Sequence, residues 1–258
     1  MQSVVFNMTI KRLPAILALL VAMSASCVQA APLSLLPQKL ARTPPSTPPS
    51  PPPQTAPSAI DTSHHCRNSL NSPIILFCEV APGILWRGAK PDEQGAAWLV
   101  AHGVRTVVNL ELLHDDLANF GVAKNDVALK TDIQYFRLRD WEPLAIFAPS
   151  IKDQNVAQFL AIMQQSPKPV YVHCRSGQNR TGVMVAAYRL LVENADLEKT
   201  IAEMKQYHGF WSFADARYLR GLVQRREEIL RQANVNLPTR NAQIICTDGI
   251  CKIELLDR

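Results

Sequence analysis

The junction between residues 169 and 191 constrains this chain more than any other segment. Pro169-Val170-Tyr171-Val172 is short, apolar and rich in strand formers. Gly182-Val183-Met184-Val185-Ala186-Ala187-Tyr188-Arg189-Leu190-Leu191 has the apolar character of a buried helix. Both need cover from other elements, so the fold must set a buried strand and a buried helix next to each other. His173-Cys174-Arg175-Ser176-Gly177-Gln178-Asn179-Arg180-Thr181 joins them. A loop running from a strand end into a helix start offers backbone N–H groups at the positive end of the helix dipole, a place that favours an anion.

The residue types of that loop suit attack on a phosphate ester. Cys174 is the candidate nucleophile, and only a thiolate attacks. A helix N-terminus and cationic neighbours favour that thiolate. Successive N–H groups from Arg175 through Ser176, Gly177, Gln178 and Asn179 to Arg180 can wrap one phosphoryl group as an anion nest. The planar fork of Arg180 can grip two of its oxygens, which a lysine does less well. Thr181 can donate its hydroxyl to the departing sulfur, and His173 can hold the loop and bias the thiol toward thiolate. Gln178 or Asn179 can position an attacking water, and Arg175 can attract extra substrate charge or stand as a plain surface arginine. Nest and arginine together neutralise phosphoryl charge, so neither a metal nor a cofactor is required.

This segment resembles the signature loop of the cysteine-dependent protein tyrosine and dual-specificity phosphatases, His-Cys-x5-Arg-Ser/Thr. Two further segments carry the resemblance. Leu85-Trp86-Arg87-Gly88-Ala89-Lys90-Pro91 is similar to the Arg-Gly/Ser-x-x-Pro element of compact bacterial and fungal members, and Gly103-Val104-Arg105-Thr106-Val107-Val108-Asn109-Leu110 to their next strand. The resemblance covers roughly residues 79–233. It implies a phosphocysteine on Cys174, phosphate or sulfate binding by Arg180, and a general acid on a separate loop.

Strand-like runs at 84–87, 105–110, 134–138 and 169–174 alternate with helical patterns. One helix is expected from Pro91 to His102, stopped by Gly103; another opens with Ser150 as N-cap and turns Val156, Phe159, Leu160 and Met163 inward. Helical spacing then covers 181–193, 197–208 and 215–232. This order indicates an α/β fold with a largely parallel central sheet flanked by helices, and the loop at the C-terminal edge of a central strand.

The general acid should sit on the loop between the strand ending at Leu138 and the helix opening at Ser150. Asp140, beside Trp141, is the first candidate, Glu142 the alternative, and Asp153 falls inside the following helix. Asp140 can equally pair with Arg137 or Arg139. His64-His65 fits a solvated turn better than a metal site. Tyr207-His208-Gly209-Phe210-Trp211 can line an aromatic side of the pocket or pack between helices.

Outside the domain of residues 61–236, the ends read differently. Lys11 and Arg12 precede an apolar run, 13–23, and Val28-Gln29-Ala30 follows, as in a cleavable signal peptide over residues 1–30. That run is short for a membrane span, so no stable insertion is expected. Lipidation at Cys27 and a retained anchor are weaker readings, because Ser24-Ala25-Ser26 makes a poor lipobox. Residues 31–60 carry eight prolines between Pro44 and Pro57, a disordered linker or spacer. The formal charge of +5 contains no basic run, which argues against nucleic acid. Export would place the protein in the periplasm or outside the cell, where Cys66, Cys78, Cys246 and Cys251 can pair and leave Cys174 free. Cys246-Thr247-Asp248-Gly249-Ile250-Cys251 reads as a hairpin with a local disulfide in a C-terminal extension, 237–258. Cys66–Cys78 would then close the entry to the domain; other pairings and reduced thiols stay open.

The expected activity is hydrolysis of phosphotyrosine, and of phosphoserine or phosphothreonine, on envelope or secreted proteins. Inositol phosphates or phosphoinositides are an alternative substrate class for the same loop. Relatives specialised for such rings often carry loop lysines, and this loop has Arg175 but no lysine. A sulfurtransferase-like domain or an inactive phosphate-binding module is a third reading. Arg180-Thr181-Gly182 opening a helix disfavours the first, and the presence of both Cys174 and Arg180 disfavours the second.

Overall fold

All four strand-like runs become neighbours in one seven-stranded sheet. The computed structural model describes residues 70–121, 131–207, 211–248 and 250–256. The signal segment, the proline-rich stretch, Cys27, His64, His65 and Cys66 lie outside the described residues, as do His208, Gly209 and Phe210. The strands are β1 (Cys78–Ala81), β2 (Leu85–Ala89), β3 (Thr106–Asn109), β4 (Thr131–Arg137), β5 (Val170–Cys174), β6 (Ala242–Thr247) and β7 (Ile250–Leu255). The helices are α1 (Glu93–Ala101), α2 (Leu117–Gly121), α3 (Leu144–Phe147), α4 (Pro149–Gln165), α5 (Asn179–Leu191), α6 (Leu197–Tyr207), α7 (Ser212–Gln224) and α8 (Arg226–Val235). Strand order is β1-β2-β5-β3-β4-β6-β7. The middle four run parallel, and β1, β6 and β7 add antiparallel edges. This is the expected α/β architecture.

Successive strand residues face opposite sides of the sheet. Leu85, Val108, Phe136, Val170, Val172 and Cys174 join one core with buried residues of α4 to α8. Trp86, Val107, Tyr135 and Tyr171 join another with Ala96, Leu99 and Phe120. Burial on both faces explains why β5 reads as an unbroken apolar run. Among the described residues, no helix is long and apolar enough to cross a membrane.

Two of the expected helices depart from the sequence reading. The first turn of α4 begins at Pro149, and Ala148 caps it without a side-chain hydrogen bond, so Ser150 is not the N-cap. Proline lacks the N–H that a first-turn residue would leave unpaired, so it suits that position. The inner face is as expected, with Val156, Phe159, Leu160 and Met163 all buried. The single helix expected over 215–232 is instead α7 and α8, broken at Arg225. Arg225 turns its N–H to the Leu222 carbonyl at 2.9 Å. Its guanidinium holds Asp153 of α4 at 2.8 and 3.0 Å and the Gly221 carbonyl at 2.7 Å. That clamp fixes the corner, and α8 packs back on α4.

β6 and β7, which lie in the segment read as a C-terminal extension, form one edge of the sheet. Ile133 pairs with Ile244 and Tyr135 with Ala242 across β4 and β6. Cys246 and Cys251 sit opposite each other in the hairpin and form a disulfide. Asp248 takes φ +50°. Cys78 is also disulfide-bonded, and Cys174 is a free cysteine. Because Ile244 is fully buried, Ile244→Ala should cost about 2–5 kcal/mol of stability in urea unfolding. A detachable appendage would show less than about 0.5 kcal/mol.

Candidate active site

Cys174 is the last residue of β5, and α5 opens five residues later at Asn179. Gln178, at the N-cap of α5, makes no side-chain capping hydrogen bond. The first N–H groups of the helix sit at the positive end of its dipole.

Three loop carbonyls are held from outside. Leu110 N–H donates to the His173 carbonyl at 2.9 Å, and Lys90 N–H to that of Arg175 at 3.3 Å. Arg87 Nη2 donates to the Gly177 carbonyl at 2.6 Å. In a trans peptide the N–H points opposite to the C=O. Holding carbonyls 173, 175 and 177 thus orients the N–H groups of Cys174, Ser176 and Gln178 the other way. Gly177 makes the turn with φ +71°, and a Cβ there would stand 2.5 Å from the Gly88 carbonyl carbon. Only glycine satisfies both conditions.

Arg180 lies in the first turn of α5, half-buried. Its Nη1 donates to the Leu110 carbonyl at 3.4 Å, and its Nε lies 3.5 Å from Glu142 Oε1. Thr181 is buried, and its Oγ1 makes no hydrogen bond among the described residues. Arg175, Ser176 and Gln178 are exposed on the rim, Asn179 is half-buried and Gly177 is buried.

His173 points to the opposite sheet face. Its Nε2 lies 3.3 Å from Asp116 Oδ2, without the alignment of a hydrogen bond. Asp116 Oδ1 accepts from the Tyr135 hydroxyl at 2.5 Å and from Asn109 Nδ2 at 3.2 Å. Burial, then the adjacent Asp116 charge, pushes the Tyr135 hydroxyl far above its usual range, so it stays a donor. The Tyr171 ring stacks on His173, and its hydroxyl donates to the Ala89 carbonyl at 2.5 Å.

The structure places the three candidate acids in different settings. Asp140 is fully buried, and its carboxylate is bound by Lys152 Nζ at 2.5 Å and Asn155 Nδ2 at 3.1 Å. It pairs with neither Arg137 nor Arg139 among the described ion pairs; Arg137 pairs with Asp115. Asp153 is likewise occupied, by Tyr218 and Arg225. The carboxylate beside the loop arginine is that of Glu142, whose side chain is 28% exposed.

Two contributors were missed from sequence. Arg87 stood in a segment noted for its resemblance, and its signal was a charge on a strand otherwise buried on both faces. Asp116, next to Asp115, carried no signal. Of the aromatic cluster, Tyr207 covers Arg87, with the guanidinium carbon 4.1 Å from the ring centroid. Among the described residues, no group of three His, Cys, Asp or Glu side chains could hold a metal ion.

The family model described as DSP-PTPase phosphatase fused to NAD+ kinase matches residues 79–221, and the chain belongs to that family. Dual specificity protein phosphatase TpbA of Pseudomonas aeruginosa is 32% identical over 155 residues, 58% of this chain and 63% of that protein. The chain thus spans less than two thirds of this relative's length. Probable NAD kinase 2, chloroplastic, of Oryza sativa is 33% identical over 115 residues, 43% of this chain but only 11% of the kinase. The crystal structure of P. aeruginosa TpbA aligns with a TM-score of 0.47 at 27% identity, covering 60% of this chain and 91% of that one.

Asp140→Asn would strand the buried Lys152 cation. It should cost about 3–5 kcal/mol in denaturant unfolding. An Asp serving only as a mobile-loop acid would cost far less.

Proposed function

We propose that this chain hydrolyses phosphate monoesters on proteins, phosphotyrosine first, through a phosphocysteine intermediate. One observation carries the reading: Cys174 ends β5 at the N-terminus of α5, with Arg180 in the first turn of that helix. Membership of the DSP-PTPase family supports it, and so does similarity to a protein named as a dual specificity phosphatase.

In this mechanism the Cys174 thiolate attacks phosphorus while Arg180 and the loop N–H groups bind the non-bridging oxygens. The bond to the leaving oxygen breaks as Glu142 gives it a proton. The Glu142 carboxylate then takes a proton from water, which attacks phosphorus and breaks the S–P bond. Thr181 donates a hydrogen bond to the departing thiolate. Glu142 takes the role in preference to Asp140 because its carboxylate lies beside Arg180 and is partly open to solvent. We also propose export to the periplasm or beyond, supported by the basic–apolar–small pattern of residues 1–30 and by the Cys246–Cys251 hairpin.

Cys174→Ser should abolish release of phosphate from a phosphotyrosine peptide. Equal hydrolysis by both proteins would overturn the reading, and faster turnover of phytate than of the peptide would redirect it to inositol phosphates. Glu142→Gln should lower kcat about 100- to 10,000-fold and remove the limb of the pH profile that reports the protonated acid. A near-normal kcat would return the role to another residue. Residues 1–30 fused to β-lactamase should confer ampicillin resistance; a sensitive host would count against export.

A further inference from the structure

We propose that Arg87 is a positioning residue for Cys174: it holds the Gly177 peptide from beneath the loop and stands as a buried cation on the nucleophile's side of the sheet. This rests on the reading of Cys174 as nucleophile. In the β2–β5 register Arg87 pairs with Val172 and Ala89 with Cys174. Paired and alternate residues share a face, so the Arg87 and Cys174 side chains leave the sheet on the same side.

Arg87 is 1% exposed. No carboxylate pairs with it among the described ion pairs, although a buried cation without an anion is costly. Among the described residues, its guanidinium donates to the Gly177 carbonyl and lies over the Tyr207 ring. The nearby Glu203 is already taken by Arg189 at 3.0 Å. A thiolate on Cys174 supplies the missing negative charge. Burial lowers the Arg87 pKa, and the charges opposing that shift are Tyr207, Cys174, Glu203 and Tyr171. An arginine stays protonated in this setting. The same guanidinium that orients the Gln178 N–H therefore also favours the reactive form of the sulfur. The other charged or titratable groups around the pair are Arg180 and Arg189 on α5, Glu142 on the loop after β4, and His173 with Asp116 on the opposite face.

The test separates charge from hydrogen bond. Arg87→Gln keeps a donor for Gly177 and loses the charge; Arg87→Lys keeps the charge and loses the fork. Thiolate absorbance in the ultraviolet, titrated against the matching Cys174→Ser protein as blank, reads the sulfur without turnover. Arg87→Gln should raise the thiol midpoint by about one pH unit or more, and Arg87→Lys should leave it within about half a unit of wild type. On an aryl phosphate, Arg87→Lys should lose about 10- to 100-fold in kcat with little change in KM. A folded Arg87→Gln protein with the wild-type midpoint overturns the assignment. Where that variant does not melt cooperatively, Arg87→Lys decides: wild-type kcat overturns the proposal, and a kcat loss at constant KM supports it. A wild-type protein that releases no phosphate would overturn the proposed function, while the titration would still decide the role of Arg87.

Discussion

The close approach of Gly177 to the end of β2 sets the geometry on which the rest of the site depends. A side chain at that position would strike the Gly88–Ala89 peptide, and the backbone there has positive φ. Contact this tight leaves the loop one path between β5 and α5. Along that path, carbonyls turn outward to Leu110, Lys90 and Arg87, and N–H groups turn the other way. The path of the loop backbone is therefore set by neighbouring strands, β2 and the end of β3, as much as by the loop itself.

The sheet divides the work between its faces. Cys174 and Arg87 leave on the side covered by α5 and α6. His173, Tyr171, Asp116 and Tyr135 build a buried polar cluster on the other side. Gly88, opposite His173 in the register, leaves room for the Tyr171 hydroxyl to reach Ala89; a Cβ there would meet that hydroxyl at 2.5 Å. Polar groups at such depth are tolerable only when partnered. Partners on one face immobilise the strand end that presents the sulfur on the other.

The acidic residues show how tertiary context sorts like side chains. Asp140 and Glu142 are two positions apart, yet one is buried against Lys152 and the other lies beside Arg180. Asp153, one turn into α4, closes the α7–α8 corner through Arg225. A carboxylate paired so closely is a structural anchor, because removing its partner would leave a bare charge in the core.

The chain's own pattern was enough to locate the four parallel strands and the strand–loop–helix junction that carries Cys174 and Arg180. These depend on local periodicity and on residues adjacent in sequence, so they are legible in one dimension. The hairpin turn and its cysteine pair were legible for the same reason. Tertiary structure alone decided which carboxylate faces the loop, that β6 completes the sheet at β4, that one helical pattern breaks at Arg225, and that Arg87 lies beneath Gly177. Each of these is a contact between distant residues, 12 positions apart for Asp140 and Lys152 and 90 for Arg87 and Gly177. The partner that satisfies a buried charge is chosen by packing, and periodicity carries no record of that choice.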